Sequence, residues 1–414
     1  MVDQRRIDDQ RWVDAASAAR HLGISVRSLY AYVSRGQVRS VPGERGRPRL
    51  YAFADLERLR VRRDARAGHG AVAAGALRWG EPVLDSAVTA ITAHGPAYRG
   101  RLAIELAAAG TPFENVAELL WSGYLPEGRI VWPRGTIPHA QLARLVGGEP
   151  PTPLEIMPVL VQIAALADPG RGDLRPDALI ACGRRLIPLL AAALAPGFVA
   201  AAVTRALGAG SVAEIAARAL GLSDEVAPVL DRVLVLLADH ELNASSFTAR
   251  IAASTDADPY ACVAAALATL SGPKHGNAAQ AVARFAAQVS SPEAARAAVR
   301  ALRKRGAVPP GFGHPLYPAG DPRAPPLLDA AARLPVTRPV RTLLAIVEAT
   351  TEAVPNVDLA LTVLSAALGV PPTAGPGLFA VARAAGWLAH ALEQRAAGHL
   401  LRPRARYVGA PVRT

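Results

Sequence analysis

The sequence contains few cysteines and almost no lysine. Two of its 414 residues are Cys, and only two of its 46 basic residues are Lys, Lys274 and Lys304. The cysteines, Cys182 and Cys262, lie far apart in alanine-rich segments, so they provide neither a metal-binding spacing nor a disulfide framework. This usage is typical of a reducing compartment, and we therefore expect a cytoplasmic protein.

The chain also lacks a long uninterrupted apolar segment. Two uncharged stretches, 186–204 and 359–382, are long enough to cross a bilayer, but prolines and glycines interrupt both of them. The first ten residues, MVDQRRIDDQ, contain no apolar core of the kind that a signal peptide needs. With 51% hydrophobic and 19% charged residues, the chain is predicted to be globular and not associated with a membrane.

Positive charge is concentrated in the first seventy residues. The formal net charge of the chain is +12, and residues 1–70, with 15 Arg and 8 acidic residues, contribute +7 of it. The other 344 residues contribute only +5. Such an asymmetry indicates a small basic domain with an anionic partner, most simply DNA.

Two short helices joined by a tight turn are predicted within this basic region. Asp14 can cap the first helix, which stops at Gly23, and Ser25 can cap the second, which stops at Gly36. The apolar face of the second helix consists of Leu29, Tyr32 and Val33. This arrangement is the signature of a helix-turn-helix.

A β-hairpin and a third helix are predicted to follow. Residues 38–41 and 50–53 would form the hairpin across a turn rich in Pro, Gly and Arg, and Asp55 would cap the helix that contains Leu56 and Leu59. The order of these elements resembles the winged helix-turn-helix of the MerR and excisionase type. The resemblance implies that the second helix enters the major groove of DNA.

The DNA contacts are expected from the second helix and from the wing. The outward residues of the helix are predicted to be Arg27, Ser28, Tyr30 and Arg35, and the wing would reach phosphates with Arg45, Arg47 and Arg49. The alternative is that the module has become an interaction or dimerisation element.

Beyond Pro82 the sequence alternates between helical periodicity and Pro/Gly breaks, without sustained period-two alternation. The segment 83–98 can form a short strand pair. The pattern predicts an all-α fold, a large helical domain with a smaller lobe. Helices are predicted within residues 113–120, 154–166, 177–187, 212–219 and 226–237.

Four polar residues in this domain stand in unusual local sequence. His240 follows a strongly apolar helix, whereas His275 and His314 are flanked by Gly and Pro, and Asp358 follows a Pro-Asn turn. Each residue alone is compatible with an ordinary hydrogen-bonded loop position. A zinc site is a second interpretation, although no two of the four are spaced at i, i+3 or i, i+4. A third is a carboxylate base with His partners, which suits proton abstraction beside a carbonyl.

Eight segments in order, between residues 80 and 409, resemble the citrate synthase family. They read GEPVLDSAVTAI, AYRGRLAIEL, ADHELNASSFTARIAAST, SGPKHGNAAQAV, GFGHPLYPAGDPRA, PNVDLAL, LFAVARAAGWLAHALEQ and LRPRARYVG. The resemblance implies a two-lobed helical fold that condenses acetyl-CoA with oxaloacetate to give citrate and CoA. It implies no metal and no other cofactor, with acetyl-CoA acting as co-substrate.

The resemblance also implies roles for particular residues. By position, Asp358 matches the general base, His275 the hydrogen-bond donor to the thioester oxygen, and His314 the group that polarises and protonates the ketone oxygen. The positions that match oxaloacetate-binding residues are His240, Arg323, Arg383 and, contributed from the neighbouring subunit of a homodimer, Arg402. The implied domains are 1–70 for the winged helix-turn-helix, 71–275 with 369–414 for the large lobe, and 276–368 for the small lobe that closes over the substrates.

The sequence departs from the family pattern at two loops. Around His275 the departures are Lys274, Asn277, Ala279 and Gln280, and after His314 they are Pro315 and Pro318, at positions where relatives commonly have basic residues. CoA affinity or the identity of the acyl donor is therefore open. One alternative function is a 2-methylcitrate synthase that uses propionyl-CoA. The other is a DNA-binding regulator whose synthase-like domain senses a 2-oxo acid or an acyl-CoA.

Overall fold

The computed structural model describes residues 12–43, 48–53, 55–56, 59, 84–133, 150–276, 278–289, 291–351, 353–405 and 409–410. The chain divides into two compact units, Met1–Asp85 and Ser86–Thr414. Each unit is described by itself below.

The first unit is a helix-turn-helix with a three-stranded sheet. Its elements are β1 (Trp12–Asp14), α1 (Ala15–Leu22), α2 (Val26–Ser34), β2 (Ser40–Val41) and β3 (Leu50–Ala52). Strand β3 pairs antiparallel with β2, which is the predicted wing, and also with β1, which the sequence analysis did not anticipate. A small core encloses the buried side chains of Ala18, Leu22, Leu29, Val38, Tyr51 and Leu56.

The predicted helix boundaries of this unit are confirmed by their caps. Asp14 accepts a hydrogen bond from the backbone N–H of Ser17, and Gly23 ends α1 in the left-handed conformation at φ 59°. Ser25 accepts from the N–H of Ser28 at the start of α2. The second helix ends at Ser34, two residues before the predicted Gly36, which lies in the following turn at φ 68°.

The predicted capping role of Asp55 is wrong. Residue 53 is already helical, so Asp55 lies within the helical segment. Its carboxylate instead accepts from Arg39, from the backbone N–H at 2.9 Å and from the guanidinium at 2.8 and 3.0 Å. A helix cap is a local feature, whereas this ion pair joins residues sixteen positions apart. Most of the predicted third helix lies outside the described residues.

The second unit is built almost entirely of helices. A small sheet, β4 (Thr89–Thr92), β5 (Gly95–Tyr98) and β6 (Arg101–Leu102), comes first. The helices that follow are α3 (Ala103–Ala108), α4 (Phe113–Ser122), α5 (Pro153–Ala167), α6 (Pro176–Ala192), α7 (Ala200–Leu207), α8 (Val212–Ala219), α9 (Ala227–Leu237), α10 (Ala244–Ala253), α11 (Pro259–Leu270), α12 (Ala278–Ala287), α13 (Pro292–Lys304), α14 (Ala324–Ala332), α15 (Arg338–Ala349), α16 (Val357–Leu368) and α17 (Ala374–Ala397). Two short 3₁₀ segments lie at Pro196–Phe198 and Asp224–Val226.

This architecture confirms the predicted all-α class. Each of the five predicted helical segments lies within or nearly coincides with an observed helix, and the strand pair expected within residues 83–98 is the hairpin β4–β5. Within the described residues, no helix is long and apolar enough to cross a membrane. The proposed division into large and small lobes remains a prediction.

Helix α17 lies at the centre of the second unit. Most of its 24 residues are buried, and it contacts helices α4, α5, α6, α9, α10 and α11. Its many Ala and Gly residues allow this close packing. At Gly386, an added Cβ would lie 2.2 Å from Asp239 Oδ1. The central helix therefore fixes the turns that approach it, and the candidate site lies among these turns.

Candidate active site

The first wall of the site is the turn between α9 and α10, which presents His240. Asn243 caps α10, accepting from the N–H groups of Ser245 and Ser246 at 3.1 Å. Glu241 has a left-handed backbone, φ 54°, which is unusual for a residue with a side chain. Strain of this kind is concentrated at functional sites. The turn exposes only 7% of His240.

The second wall is the turn between α11 and α12, which presents His275. Gly276 is required here, because an added Cβ would lie 2.5 Å from the Leu270 side chain. His275 Nε2 lies 2.9 Å from the hydroxyl of Ser245, which also accepts the indole N–H of Trp387 at 3.0 Å. The buried hydroxyl thus links His275 to the central helix. Asn277, one of the departures from the family pattern, lies outside the described residues.

The third wall is the loop before α14, which holds His314 beside Tyr317. The two rings lie 4.9 Å apart between centroids, and the His240 ring lies 5.3 Å from that of His314. The Tyr317 hydroxyl is 2.9 Å from His240 Nε2. His314 Nδ1 accepts the backbone N–H of Leu316 at 3.1 Å. A neutral His314 therefore carries its proton on Nε2.

Backbone pairing brings the His314 loop to the start of α16, where Asp358 lies. The N–H of Gly313 donates to Val354 O at 2.8 Å, and the N–H of Asn356 donates to Gly311 O at 2.9 Å. Asn356 caps α16 and accepts from the N–H of Asp358 at 3.1 Å. The half-buried carboxylate of Asp358 is thereby held in the first turn of a helix, next to the loop that carries His314.

Two buried arginines give the site its positive charge. Arg323 is held by Asp321 through two contacts of 2.8 and 2.9 Å, and Asp321 also accepts from the N–H of Val357, beside Asp358. Arg383 donates from Nε to Leu237 O at 2.9 Å and stacks on Phe379. Among the residues that the structure describes, the buried Nη2 of Arg383 has no hydrogen-bond partner. An unpaired buried guanidinium nitrogen points to an anionic ligand.

Burial shifts the titration of the ionisable groups in the cluster. It raises the pKa of Asp358 to about 6, with Asp321 adding to the shift and Arg323 and Arg383 opposing it. Burial and the charge of Arg383 lower the pKa of His275 to about 4. Burial and Arg323 also lower the pKa of His314 and, with Arg383, hold that of His240 well below its usual value. At neutral pH the site therefore contains a carboxylate base and neutral imidazoles.

The structure brings together six of the seven predicted residues of this site. His240, His314 and Arg323 are joined through contacts with Tyr317. Asp358 lies close enough to Arg323 and Arg383, and His275 close enough to Arg383, for the arginine charges to shift their pKa values. Arg402 differs: it lies exposed in the irregular segment after α17, and within the described part of the chain no hydrogen bond or ion pair joins it to the cluster. Its predicted role in a partner subunit's site remains a prediction.

Several residues of the site were not singled out from the sequence. Tyr317 and Ser245 contact His240 and His275 directly, and Trp387 donates its indole N–H to the Ser245 hydroxyl. In the sequence, these residues were distinguished only by lying within the segments GFGHPLYP, HELNASS and GWLAH. No local pattern distinguishes a tyrosine or serine that binds a distant histidine from one that packs in a core.

In the first unit, most of the predicted DNA-contact residues that the structure describes are exposed. Arg27, Tyr30 and Arg35 are exposed on or just after α2, and Arg49 is exposed at the start of β3, where it donates to Ser40 Oγ at 2.9 Å. Ser28 is partly buried, and its hydroxyl lies 2.9 Å from that of Ser25, so it is less available than predicted. Arg45 and Arg47 lie outside the described residues.

Comparison with protein families gives two matches. Residues 76–404 match the family described as "Citrate synthase, C-terminal domain". Residues 15–71 match the "MerR HTH family regulatory protein" family.

Individual relatives agree with the first match. Citrate synthase 2 of Bacillus subtilis is 38% identical over 187 residues, 43% of this chain and 50% of that protein, so the alignment spans about half of the relative. A Mycolicibacterium smegmatis citrate synthase is 30% identical over 77% of this chain and 90% of its own length. A 2-methylcitrate synthase of Mycobacterium tuberculosis is 30% identical over 75% of this chain and 84% of its own length.

Solved structures share the fold. Citrate synthase from Thermotoga maritima superposes with a TM-score of 0.65 at 26% identity, covering 81% of this chain and 96% of that one. The Thermoplasma acidophilum enzyme, solved with carboxymethyl coenzyme A and oxaloacetate, gives a TM-score of 0.69 at 24% identity and covers 80% and 95%.

Proposed function

This chain belongs to the citrate synthase family, and on that premise we propose that it condenses acetyl-CoA with oxaloacetate to give citrate and CoA. The observation that carries the proposal is the meeting of one carboxylate, three imidazoles and two buried arginines among the turns around α17. The reaction must remove a proton beside a thioester, stabilise the enol oxygen and activate a ketone. Each task has a candidate residue.

Asp358 is the proposed general base. A base works best when its pKa lies just below the working pH, because it is then ionised and still proton-accepting. Burial raises the pKa of Asp358 to about 6, which meets that condition at neutral pH. The carboxylate would take the proton from the methyl group of the acetyl thioester.

His275 is the proposed hydrogen-bond donor to the thioester oxygen. The single hydroxyl proton of Ser245 can go to Asn243 or to His275 Nε2. When it goes to His275, the imidazole carries its own proton on Nδ1 and can donate it to the oxygen as enolate charge develops there. His314, with its proton on Nε2, would polarise and then protonate the ketone oxygen of the acceptor.

The proposed acceptor site consists of His240, Arg323 and Arg383. Guanidinium groups bind carboxylates with paired hydrogen bonds, and Nη2 of Arg383, which has no partner among the described residues, supplies a donor for that purpose. Arg402 of a second subunit would complete the site in a homodimer. The lobe formed by residues 276–368 would then close over both substrates and exclude water, which limits hydrolysis of the thioester.

The donor can be identified by measuring thiol release from purified protein with oxaloacetate and either acetyl-CoA or propionyl-CoA. A larger kcat/KM for acetyl-CoA supports citrate synthesis, whereas a larger value for propionyl-CoA supports 2-methylcitrate synthesis. One methylene changes the binding free energy by only about 1–3 kcal/mol, so the two kcat/KM values can be similar. Both donors are therefore measured over the same range of concentrations. No turnover with either donor would contradict an enzymatic function.

The pH dependence tests the assignment of Asp358. Only the ionised carboxylate can accept a proton, so we expect kcat/KM to fall about tenfold per pH unit below the pKa of about 6. His275, whose pKa is lowered to about 4, stays neutral over most of this range, and burial also lowers the pKa of His314. Circular dichroism at each pH verifies that the protein remains folded. A profile that stays flat down to pH 5 would contradict the assignment.

We further propose that the first unit binds DNA. The exposed Arg27 and Tyr30 of α2 and Arg35 directly after it, together with Arg49, support this function, as does the +7 charge of residues 1–70. If the second unit binds its ligands without turnover, the protein would act instead as a regulator that senses a 2-oxo acid or an acyl-CoA. The cytoplasmic location expected from the cysteines suits either function.

Binding to the DNA upstream of its own coding sequence should weaken with salt. In the full chain, we expect Arg27→Ala combined with Arg35→Ala to lower affinity and to reduce the salt slope by about 1 per phosphate contact removed. Arg300→Ala, which removes an exposed arginine of α13, is the control and should leave binding unchanged. Gel-shift titrations at several salt concentrations measure both quantities; equal affinity of all three proteins would argue against α2 as the DNA-binding helix.

A further inference from the structure

A buried Asp–His pair lies behind the acceptor side of the site, and the proposed reaction does not use it. Asp239 immediately precedes His240, and His390 lies in α17, seven positions after Arg383. Both side chains are 0% exposed, and His390 Nε2 donates to Asp239 Oδ2 at 3.3 Å. Burying an ionisable pair costs free energy unless its groups are well hydrogen-bonded.

The carboxylate of Asp239 is an anchor for the turn that presents His240. Its Oδ2 atom also accepts the backbone N–H of Glu241 at 3.1 Å, directly after His240. The Tyr98 hydroxyl lies 3.2 Å from the carbonyl oxygen of Asp239. Because Glu241 adopts φ 54°, the turn needs such contacts to hold its conformation. The backbone is thus held after His240 by the Asp239 carboxylate and before His240 by the Tyr98 hydroxyl.

The same carboxylate faces the helix that carries Arg383. Positions 383, 386 and 390 lie on one side of α17, since they are spaced at i, i+3 and i+7. Gly386 leaves room for the Asp239 side chain, and its N–H donates to Ala238 O at 3.1 Å. Burial by itself would raise the pKa of Asp239, but His390 and Arg383 hold that pKa below its usual value, so the carboxylate is ionised.

We propose that Asp239 and His390 are positioning residues for the acceptor site, because their buried hydrogen bond fixes the turn that carries His240 against the helix that carries Arg383. The inference rests on the proposed function, since it assigns the pair to the binding of the same acceptor. Neither side chain touches the acceptor. The pair acts by keeping the two acceptor-binding groups, His240 and Arg383, in a fixed position relative to each other.

Two substitutions of His390 in the full chain separate positioning from packing. His390→Leu removes the N–H donor at a similar size, whereas His390→Gln keeps an amide N–H that can reach Asp239. We expect His390→Leu to raise the KM and Kd for oxaloacetate about tenfold, while kcat changes less than about threefold, because a small misplacement of binding groups weakens binding strongly. His390→Gln should restore both constants to within about threefold of the wild type.

A merely structural pair predicts a different pattern. Both variants would then lose active protein and melting temperature while the remaining enzyme kept the wild-type KM, and that result would overturn the inference. Calorimetric titration with oxaloacetate distinguishes a failure of this inference from a failure of the proposed function. A wild type that binds without turnover contradicts only the synthase activity, and the Kd values of the variants still decide the role of His390. A wild type that does not bind oxaloacetate overturns both.

A measurement on the wild type covers the case in which His390→Leu does not fold. In ¹⁵N-histidine-labelled protein, the Nε2 proton of His390 is assigned by its absence in His390→Gln. We expect this proton to exchange slowly with water and its resonance to shift when oxaloacetate is added. A resonance that oxaloacetate leaves unchanged would overturn the inference.

Discussion

Replacing Asp358 by Asn is expected to lower kcat by about 10³-fold, within the range that general-base catalysis contributes. Asn has nearly the shape of Asp but cannot take a proton from the acetyl methyl group. Asp358 is ionised at neutral pH, so its replacement by Asn removes the base. The cap at the start of α16 comes from Asn356 and is retained in the variant. Thiol release measured at saturating acetyl-CoA and oxaloacetate gives kcat.

The same variant should still bind the acceptor, since Arg323 and Arg383 are intact. We expect the Kd for oxaloacetate, measured by calorimetry, to change by less than about threefold, because the base acts on the donor. Asp329→Asn, which changes an exposed aspartate of α14, is the matched control and should keep wild-type turnover. Turnover of Asp358→Asn above a tenth of the wild-type rate would rule out Asp358 as the base.

Replacing Arg383 by Met is expected to weaken oxaloacetate binding by about 10²–10³-fold. Truncating one partner of a buried charged contact typically costs about 2–5 kcal/mol, and no residue in the described ranges occupies the Nη2 atom of Arg383 that would make that contact. Met fills most of the space of the aliphatic stem and can still pack on Phe379. The Kd from calorimetric titration with oxaloacetate measures the effect.

Loss of Arg383 also changes the electrostatics of the site in a predictable direction. Arg383 lowers the pKa of His275 and opposes the burial that raises the pKa of Asp358. The acid limb of the pH–rate profile should therefore move to higher pH in Arg383→Met. Arg300→Ala in α13 is again the control for an exposed arginine and should leave Kd and the profile unchanged. An unaltered Kd in Arg383→Met would remove Arg383 from the acceptor site.

Caps and turns were the most predictable local features. Asp14 and Ser25 cap the helices that they were expected to cap, since an N-cap is encoded within four residues. Asp55 shows the limit of this reasoning. It has the residue type of a cap, but its carboxylate is taken by Arg39, sixteen positions earlier. A local rule fails when a stronger distant partner competes for the same group.

The polar residues of the candidate site also divide into those with a local sequence signature and those defined by a distant partner. His240 was found from the sequence because it follows a strongly apolar helix, and His275, His314 and Asp358 because they lie at turns that contain Gly or Pro. Tyr317 and His390 were missed because each lies in a segment where an aromatic or polar residue has several ordinary roles. Tyr317 lies 77 positions from His240 and His390 lies 151 positions from Asp239. Such pairs exist only once the chain has folded.

The all-α class, the helix-turn-helix and the segments that hold the reactive groups could be predicted from the sequence, because periodicity, caps and turn residues act over a few positions. Which of these groups meet became known only from the folded chain. It placed a tyrosine on His240, a serine between His275 and Trp387, and a buried Asp–His pair behind the turn. It also left one nitrogen of Arg383 without a partner among the described residues. These contacts join side chains from distant elements, and their geometry depends on how the helices pack around α17.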